Sequence, residues 1–295
     1  MKTLLFGASG QVGRELSRTL LPHGPLVSKN SEAVDLAQQG SVTECLEAVR
    51  PKVIVNAAAY TAVDKAESDE ERARSINAAA VREMAEYAAR NDALLIHYST
   101  DYVFDGDKDG AYLPDDTPNP ASVYGQTKLE GEEAIRESGC DHLIFRTSWV
   151  YSANGHNFIK TMLRLAEERD ELKVVTDQIG APTSAELIAD VTSLALAGYR
   201  HGHLPVGTYH LTANGATSWH GLASRAVDRA IANGRELRLR GGDIQAIGTA
   251  DFPTPATRPA NSRMDSSSLE EALLLELPDW TIHVDRMVDQ VTGNK

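Results

Sequence analysis

The first thirteen residues constrain the fold more than any other part of the chain. Lys2-Thr3-Leu4-Leu5-Phe6 is a short apolar run, and Gly7-Ala8-Ser9-Gly10-Gln11-Val12-Gly13 follows it at once. A helical pattern, Leu16, Leu20 and Leu21, comes next. A strand, a glycine-rich turn and a helix N-terminus in that order form a diphosphate cradle. Unpaired N–H groups and the helix dipole face the anion, and glycine lets the backbone approach it. The spacing is G-x-x-G-x-x-G and not the G-x-G-x-x-G fingerprint, so taken alone it also fits a plain tight turn. Gly7, Gly10, Gln11, Val12 and Gly13 are the candidate cofactor contacts.

Strand and helix patterns then alternate, predicting an α/β fold with a Rossmann-like, doubly wound parallel sheet. At the end of the second strand, Leu26-Val27-Ser28, an NAD site usually carries an acid for the ribose 2′-hydroxyl. Lys29 and Asn30 stand there instead. A cation can accept a 2′-phosphate, which favours NADPH over NADH, although Lys29 also reads as a solvated loop lysine. Lys52 to Asn56 reads as a buried parallel strand, and Ala57-Ala58-Ala59-Tyr60 leaves room for a flat ligand at its C-terminal end. The acids from Asp64 to Glu71 suit the N-terminal end of one long helix reaching Arg90.

Leu94 to Asp101 is the fourth strand, ending in Ser99-Thr100-Asp101. Tyr124 and Lys128, at i and i+4 on the next helix, share one face. A free tyrosine has a pKa of about 10, and a neighbouring ammonium lowers it toward useful proton exchange. Thr100 can hold a carbonyl beside that donor, and Lys128 can also bind a nicotinamide ribose. Tyr-x-x-x-Lys arises by chance in many helices. Its weight comes from the order of glycine turn, hydroxyl-bearing fourth strand and Tyr–Lys pair, which together point to carbonyl reduction.

Further segments extend the pattern: Thr61-Ala62-Val63-Asp64-Lys65-Ala66-Glu67, Asp101-Tyr102-Val103-Phe104, Tyr124-Gly125-Gln126-Thr127-Lys128, Arg146-Thr147-Ser148-Trp149-Val150-Tyr151, Gly180-Ala181-Pro182-Thr183, and Arg258-Pro259 leading to Asn261-Ser262-Arg263. With them the chain resembles the extended short-chain dehydrogenase/reductases, especially those that reduce dTDP-sugars. The resemblance implies NAD(P)H-dependent reduction of the 4-keto group of dTDP-4-dehydro-L-rhamnose. Tyr124 is then the proton donor, Thr100 polarises the keto group and Lys128 positions the ribose. Gly10, Gln11, Val12, Asn30, Asp35, Leu36, Ala59, Tyr60 and Thr61 correspond to cofactor contacts, and Val63, Thr100, Asp101 and Trp149 to sugar-nucleotide contacts. Some relatives bridge a homodimer through Mg2+ held by glutamates. Glu15 and Glu186 match two of those positions, but Gln290 stands at the third, and an amide is a weaker magnesium ligand than a carboxylate.

A net charge of −13 argues against nucleic acid or an anionic membrane as partner. A diphosphate can still be met by local donors such as Arg258 or Arg263, each of which also reads as a surface charge. Cys45 and Cys140 lack metal or redox spacing and read as reduced cytoplasmic thiols. No stretch approaches transmembrane length, and the N-terminal run is too short for a signal peptide. His97 reads as a packed core histidine and Trp219 as core. The expected organisation is a dinucleotide-binding domain over residues 1–150 and a sugar-nucleotide lobe over 151–295, with some later elements returning to the sheet. An epimerase on the same frame, another 4-keto or 2-keto sugar-nucleotide reductase, and a non-catalytic regulatory subunit are the alternatives. A 4,6-dehydratase is disfavoured, because Tyr102 and not Glu follows Asp101.

Overall fold

Successive side chains of a strand point to opposite faces. Every residue of the first strand, β1 (Thr3–Phe6), is buried, so layers must cover both sides of its sheet. In the computed structural model, which describes residues 1–293, they do. Leu5, Val55 and Ile96 meet Leu16, Leu20 and Ile188 on one side. Leu4, Phe6 and Ile54 meet Leu46, Val81 and Met84 on the other.

The elements follow the expected alternation: α1 (Gln11–Thr19), β2 (Leu26–Lys29), α2 (Ser41–Val49) and β3 (Val53–Asn56). Next come α3 (Val63–Ala66), α4 (Glu70–Arg74), α5 (Ala80–Arg90), β4 (Leu94–Thr100), α6 (Val123–Ser138) and β5 (His142–Thr147). The second half holds β6 (Val150–Tyr151), α7 (Phe158–Glu168), β7 (Lys173–Val175), β8 (Ile179–Gly180), β9 (Thr183–Ser184) and α8 (Ala185–Arg200). It ends with β10 (Gly207–His210), β11 (Thr217–Ser218), α9 (Trp219–Ala232), β12 (Gln245–Ile247), β13 (Asn261–Ser262), α10 (Ser267–Leu273) and α11 (Trp280–Thr292).

The main sheet runs β2-β1-β3-β4-β5-β10, and every pairing in it is parallel. The α/β, doubly wound expectation is borne out. Because β2 and β3 flank β1 on opposite sides, the connections after β1 and β3 diverge and open a crevice at the strand ends, where such sheets bind ligands. β10 pairs with β5, and α8 packs its Leu187 and Ile188 with Leu16 of α1 and Leu20 just after it. Elsewhere Ile159, Leu222, Ala226, Val284 and Met287 of α7, α9 and α11 form a separate apolar cluster. Two bidentate pairs, Arg225–Asp285 and Arg229–Asp289, tie α9 to α11.

One expected element differs. The helix expected from Asp64 to Arg90 is interrupted only at residues 67–69, after α3; from there α4, a π-helical turn at Ser75–Ala79 and α5 run on without a break to Arg90. The extra residue in that turn aims Asn77 at the loop after β3. Its amide accepts from Tyr60 N at 2.9 Å and donates to Tyr60 O at 3.2 Å and Thr127 Oγ1 at 3.1 Å. Such π turns often carry a local functional demand, and here the gain is a fixed loop beside the crevice.

Helix α6 is seated unusually close to its neighbours. A Cβ on Gly125 would fall 2.1 Å from the Tyr102 carbonyl oxygen, and one on Gly131 would fall 2.3 Å from that of Asn77. Glu132 of α6 then clamps Arg146 of β5 through two bonds of 2.9 and 2.7 Å, with the side chains 0% and 3% exposed. Removing one member of a buried pair strands the other charge. Glu132→Ala is therefore expected to lose about 3–5 kcal/mol of unfolding free energy, measured by urea denaturation. A loss below about 1 kcal/mol would show that the clamp does not hold α6.

Candidate active site

A helix whose first N–H groups lack a side-chain cap leaves those donors for an anion. Helices α6, α7, α8 and α9 are capped by Ser122, Asn157, Ser184 and Ser218. Helix α1 is preceded by Gly10, which offers no side-chain bond, and has no acid in its first turn. Gly7 sits at φ 79° with a notional Cβ 2.6 Å from the Ala57 carbonyl carbon, so the turns after β1 and β3 touch. Gly13 brings α1 down on the turn, since a Cβ there would lie 2.0 Å from Gly7 O. The turn is open toward the cavity because these positions lack side chains.

The cradle opens into a cavity of about 630 Å³. Of the residues singled out from sequence, Gly7, Gly10, Gln11, Val12, Lys29, Asn30, Asp35, Leu36, Ala59 and Thr61 line it. So do Val63, Thr100, Asp101, Tyr124, Lys128 and Trp149. Gly13, Tyr60, Arg258 and Arg263 stand outside the lining. Gly13 packs behind the turn, and Tyr60 sends its hydroxyl to Asp69 at 3.1 Å. Arg258 bonds Asp64 at 2.6 Å and the Tyr102 hydroxyl at 3.0 Å, so it acts on the cavity wall through Tyr102. Arg263 donates to Asn261 at 2.8 Å.

At the reacting end, Thr100 Oγ1 donates to Asp101 Oδ1 at 3.0 Å and accepts from Tyr102 N at 3.2 Å. Asp101 is 3% exposed and its Oδ2 has no partner. Burial pushes its carboxyl up to about 6, with bonds from Ser262 and Thr100 opposing. Tyr102 meets Tyr124 edge to face, with ring centroids 5.5 Å apart.

Tyr124 departs from expectation. Burial raises its hydroxyl above the ordinary tyrosine value, with contact from Thr100 pulling it down and Asp101 and Tyr102 adding to the rise. The anticipated lowering by Lys128 is absent because that side chain is engaged elsewhere. Lys128 Nζ donates to Tyr98 O at 2.7 Å and lies 3.1 Å from His97 Nε2. Burial lowers it to about 8, against the pull of Glu132. In this state Tyr124 is a firm phenol, which suits a proton donor better than a base.

Two further residues escaped the sequence reading. His97, fully buried, touches Lys128 and not only core atoms. Trp219 is no simple core residue, since it stacks on Trp149 at 3.7 Å with rings 11° apart and donates to Gln178. The signal for His97 was its place three residues before Thr100 at a strand's C-terminal end, where ligands gather. Trp219 carried no local signal, because its partner is 70 residues away.

The magnesium reading does not fit. Glu186 is bonded by Arg286 at 2.8 Å and Gln290 at 3.1 Å, so a cation already neutralises it. Burial and the nearby Glu186 raise the Glu15 carboxyl. Among the described residues no set of three or more His, Cys, Asp or Glu is grouped to hold a metal, and no helix is long and apolar enough to cross a membrane.

The model of the RmlD substrate binding domain matches residues 1–292. The chain belongs to that family. It is 47% identical to the dTDP-4-dehydrorhamnose reductase of Escherichia coli (strain K12), covering 99% of this chain and 98% of that one. The reductase of Burkholderia thailandensis is 47% identical, covering 95% of each chain. Among solved structures, the dTDP-4-dehydrorhamnose reductase of Clostridium acetobutylicum superposes with a TM-score of 0.89 at 33% identity, covering 99% of each chain. That of Bacillus anthracis, in complex with NADP, gives 0.87 at 32% identity over 98% of this chain and 99% of that one. The UDP-glucose 4-epimerase of Thermus thermophilus, with NAD, shares the fold at 0.81 and 16% identity over the full length of both chains. The resemblance to the dTDP-sugar reductases is thereby confirmed, and a nicotinamide cofactor agrees with the glycine cradle.

The buried Asp101 sets a pH dependence. Its folded-state value of about 6 lies above the free-aspartate value of about 3.9. The folded state therefore binds the extra proton between these values, and stability falls as pH rises through that window. Asp101→Asn is expected to be more stable than the parent at pH 8 by on the order of 2 kcal/mol, and equal to it below about pH 3.5. Denaturant titrations at both pH values check this, and equal stability at pH 8 would refute it.

Proposed function

We propose that this chain reduces the 4-keto group of dTDP-4-dehydro-L-rhamnose to dTDP-L-rhamnose with NADPH, closing dTDP-rhamnose biosynthesis in the cytoplasm. The observation that carries this reading is the convergence of Thr100, Tyr124 and Lys128 on the cavity that begins at the uncapped α1 turn. The full-length identity to reductases of that name supports the substrate.

The cradle of Gly7, Gly10 and Gln11 would hold the dinucleotide diphosphate, with Lys29 and Asn30 at the end of β2 near a 2′-phosphate. When bound, the reduced nicotinamide supplies the hydride for the carbonyl carbon. The chain supplies the rest. Tyr124 gives its phenolic proton to the carbonyl oxygen as charge develops there, burial having kept the hydroxyl protonated until then. Thr100 reaches the same oxygen by turning its hydroxyl away from Asp101. Trp149, backed by Trp219, offers a flat apolar wall for the sugar nucleotide. Lys128 orients the ribose with the N–H groups left over from Tyr98.

Generating the substrate from dTDP-glucose with the upstream dehydratase and epimerase, then following loss of NADPH absorbance, tests the reading. Turnover is expected, and none with either nicotinamide would overturn it. Tyr124→Phe is expected to lower kcat by at least about 100-fold while NADPH binding, read by fluorescence, changes less than about 3-fold. Lys29→Ala is expected to weaken NADPH by about 5- to 10-fold and leave NADH nearly unchanged. An equal effect on both would remove Lys29 from phosphate recognition.

A further inference from the structure

Behind the cavity lies a buried chain of polar groups that the reaction does not use directly. Asn56 ends β3, and its register partner on β4 is His97. Asn56, His97 and Lys128 are 1%, 0% and 1% exposed. Asn56 Oδ1 accepts from Ala58 N at 3.1 Å, which turns the amide so that Nδ2 faces His97 Nδ1, also at 3.1 Å. The far side of the ring, Nε2, lies 3.1 Å from Lys128 Nζ.

These contacts decide the tautomer. An amide N–H aimed at Nδ1 requires a lone pair there. A neutral imidazole has one lone pair and one N–H, so the proton must sit on Nε2. His97 is neutral, because burial lowers it well below the ordinary histidine value. Nε2–H thus points at Lys128. An ammonium has three donors and no acceptor and cannot receive that bond, whereas an amine can. The opposite arrangement would need the Asn56 amide to flip, setting its NH2 against the Ala58 N–H.

We propose that Asn56 and His97 form a positioning pair that presents a ring N–H to Lys128 and holds it as a neutral amine in the ligand-free site, so that binding of the dinucleotide brings a proton with it. The inference rests on the reading of Lys128 as a cofactor-facing residue. The anionic dinucleotide favours the ammonium, and a ribose hydroxyl provides the acceptor that His97 does not.

The charged and titratable groups around Lys128 are few. Glu132, one turn onward on α6, favours the ammonium but is bonded to Arg146 of β5 and to Arg136. Tyr124, one turn back, stays a phenol, and Asp101 lines the same cavity from the end of β4. Burial already brings Lys128 down to about 8, and the facing N–H acts in the same direction.

Two measurements on the full chain test the pair. Nitrogen NMR of protein carrying labelled histidine reads the tautomer at pH 7, with the His97 signal assigned as the one missing from His97→Gln. A bare Nδ1 and a protonated Nε2 are expected, and a proton on Nδ1 would overturn the proposal. Calorimetry of NADPH binding at pH 8.5, in buffers of different ionisation enthalpy, counts protons taken up. Uptake approaching one proton is expected for the parent chain, and binding without uptake would overturn the proposal. In Asn56→Asp one carboxylate oxygen keeps the Ala58 bond while the other draws the ring proton to Nδ1. Nε2 then accepts from an ammonium already present, and uptake should fall at least about threefold; unchanged uptake in this variant would also overturn the proposal. Failure to bind NADPH at all would count against the proposed function and not against this pair alone.

Discussion

The site depends on the placement of one lysine in the interior. Lys128 is 1% exposed, and a buried cation is tolerated only where its donors are met or its proton is given up. Its bonds to Tyr98 O and His97 fasten α6 to β4 at the level of the strand ends. Tyr124, one turn earlier on the same helix, is thereby carried over the crevice. The glycines at 125 and 131 permit the close approach, and the Glu132–Arg146 clamp fixes the helix along its axis.

Each polar group in that interior is oriented by a neighbour from a different element. Asn77, from the π turn, holds Tyr60 and Thr127; Asn56 holds Ala58 and His97. Gln11 at the start of α1 accepts from Asn157, the cap of α7, at 3.1 Å, so the cradle and the second half of the chain share a bond. Such networks rigidify a site when fully satisfied and become costly when a member is lost. Asp101 Oδ2, Ser99 Oγ and Thr147 Oγ1 have no such partner, and all three residues lie in the cavity lining, where a ligand could complete them.

Much of the molecule was legible in the chain itself. The strand–turn–helix opening, the buried β3 and β4 and the helix bearing Tyr124 and Lys128 all have short-range signatures, and all appear where they were expected. The long helix before β4 is present over residues 70–90, but its apolar spacing does not register the extra residue of the π turn inside it. The tuning of Tyr124 was misread for a related reason. Spacing of i and i+4 shows that two side chains share a face, but not that one of them is bound more tightly by Tyr98 and His97 than by its neighbour. Arg258 reads from sequence as a diphosphate donor or a surface charge, and in the structure it bonds Asp64 and Tyr102.

What the sequence determined by itself was local: apolar periodicity, glycines where a Cβ would collide, and the order of functional groups along the strands. These follow from sterics and from the burial of apolar surface within a few residues of each position. The tertiary structure decided protonation, since the state of a titratable group depends on desolvation and on donors brought from distant segments. Asn56, His97 and Lys128 come from β3, β4 and α6, and only the closed sheet makes them neighbours.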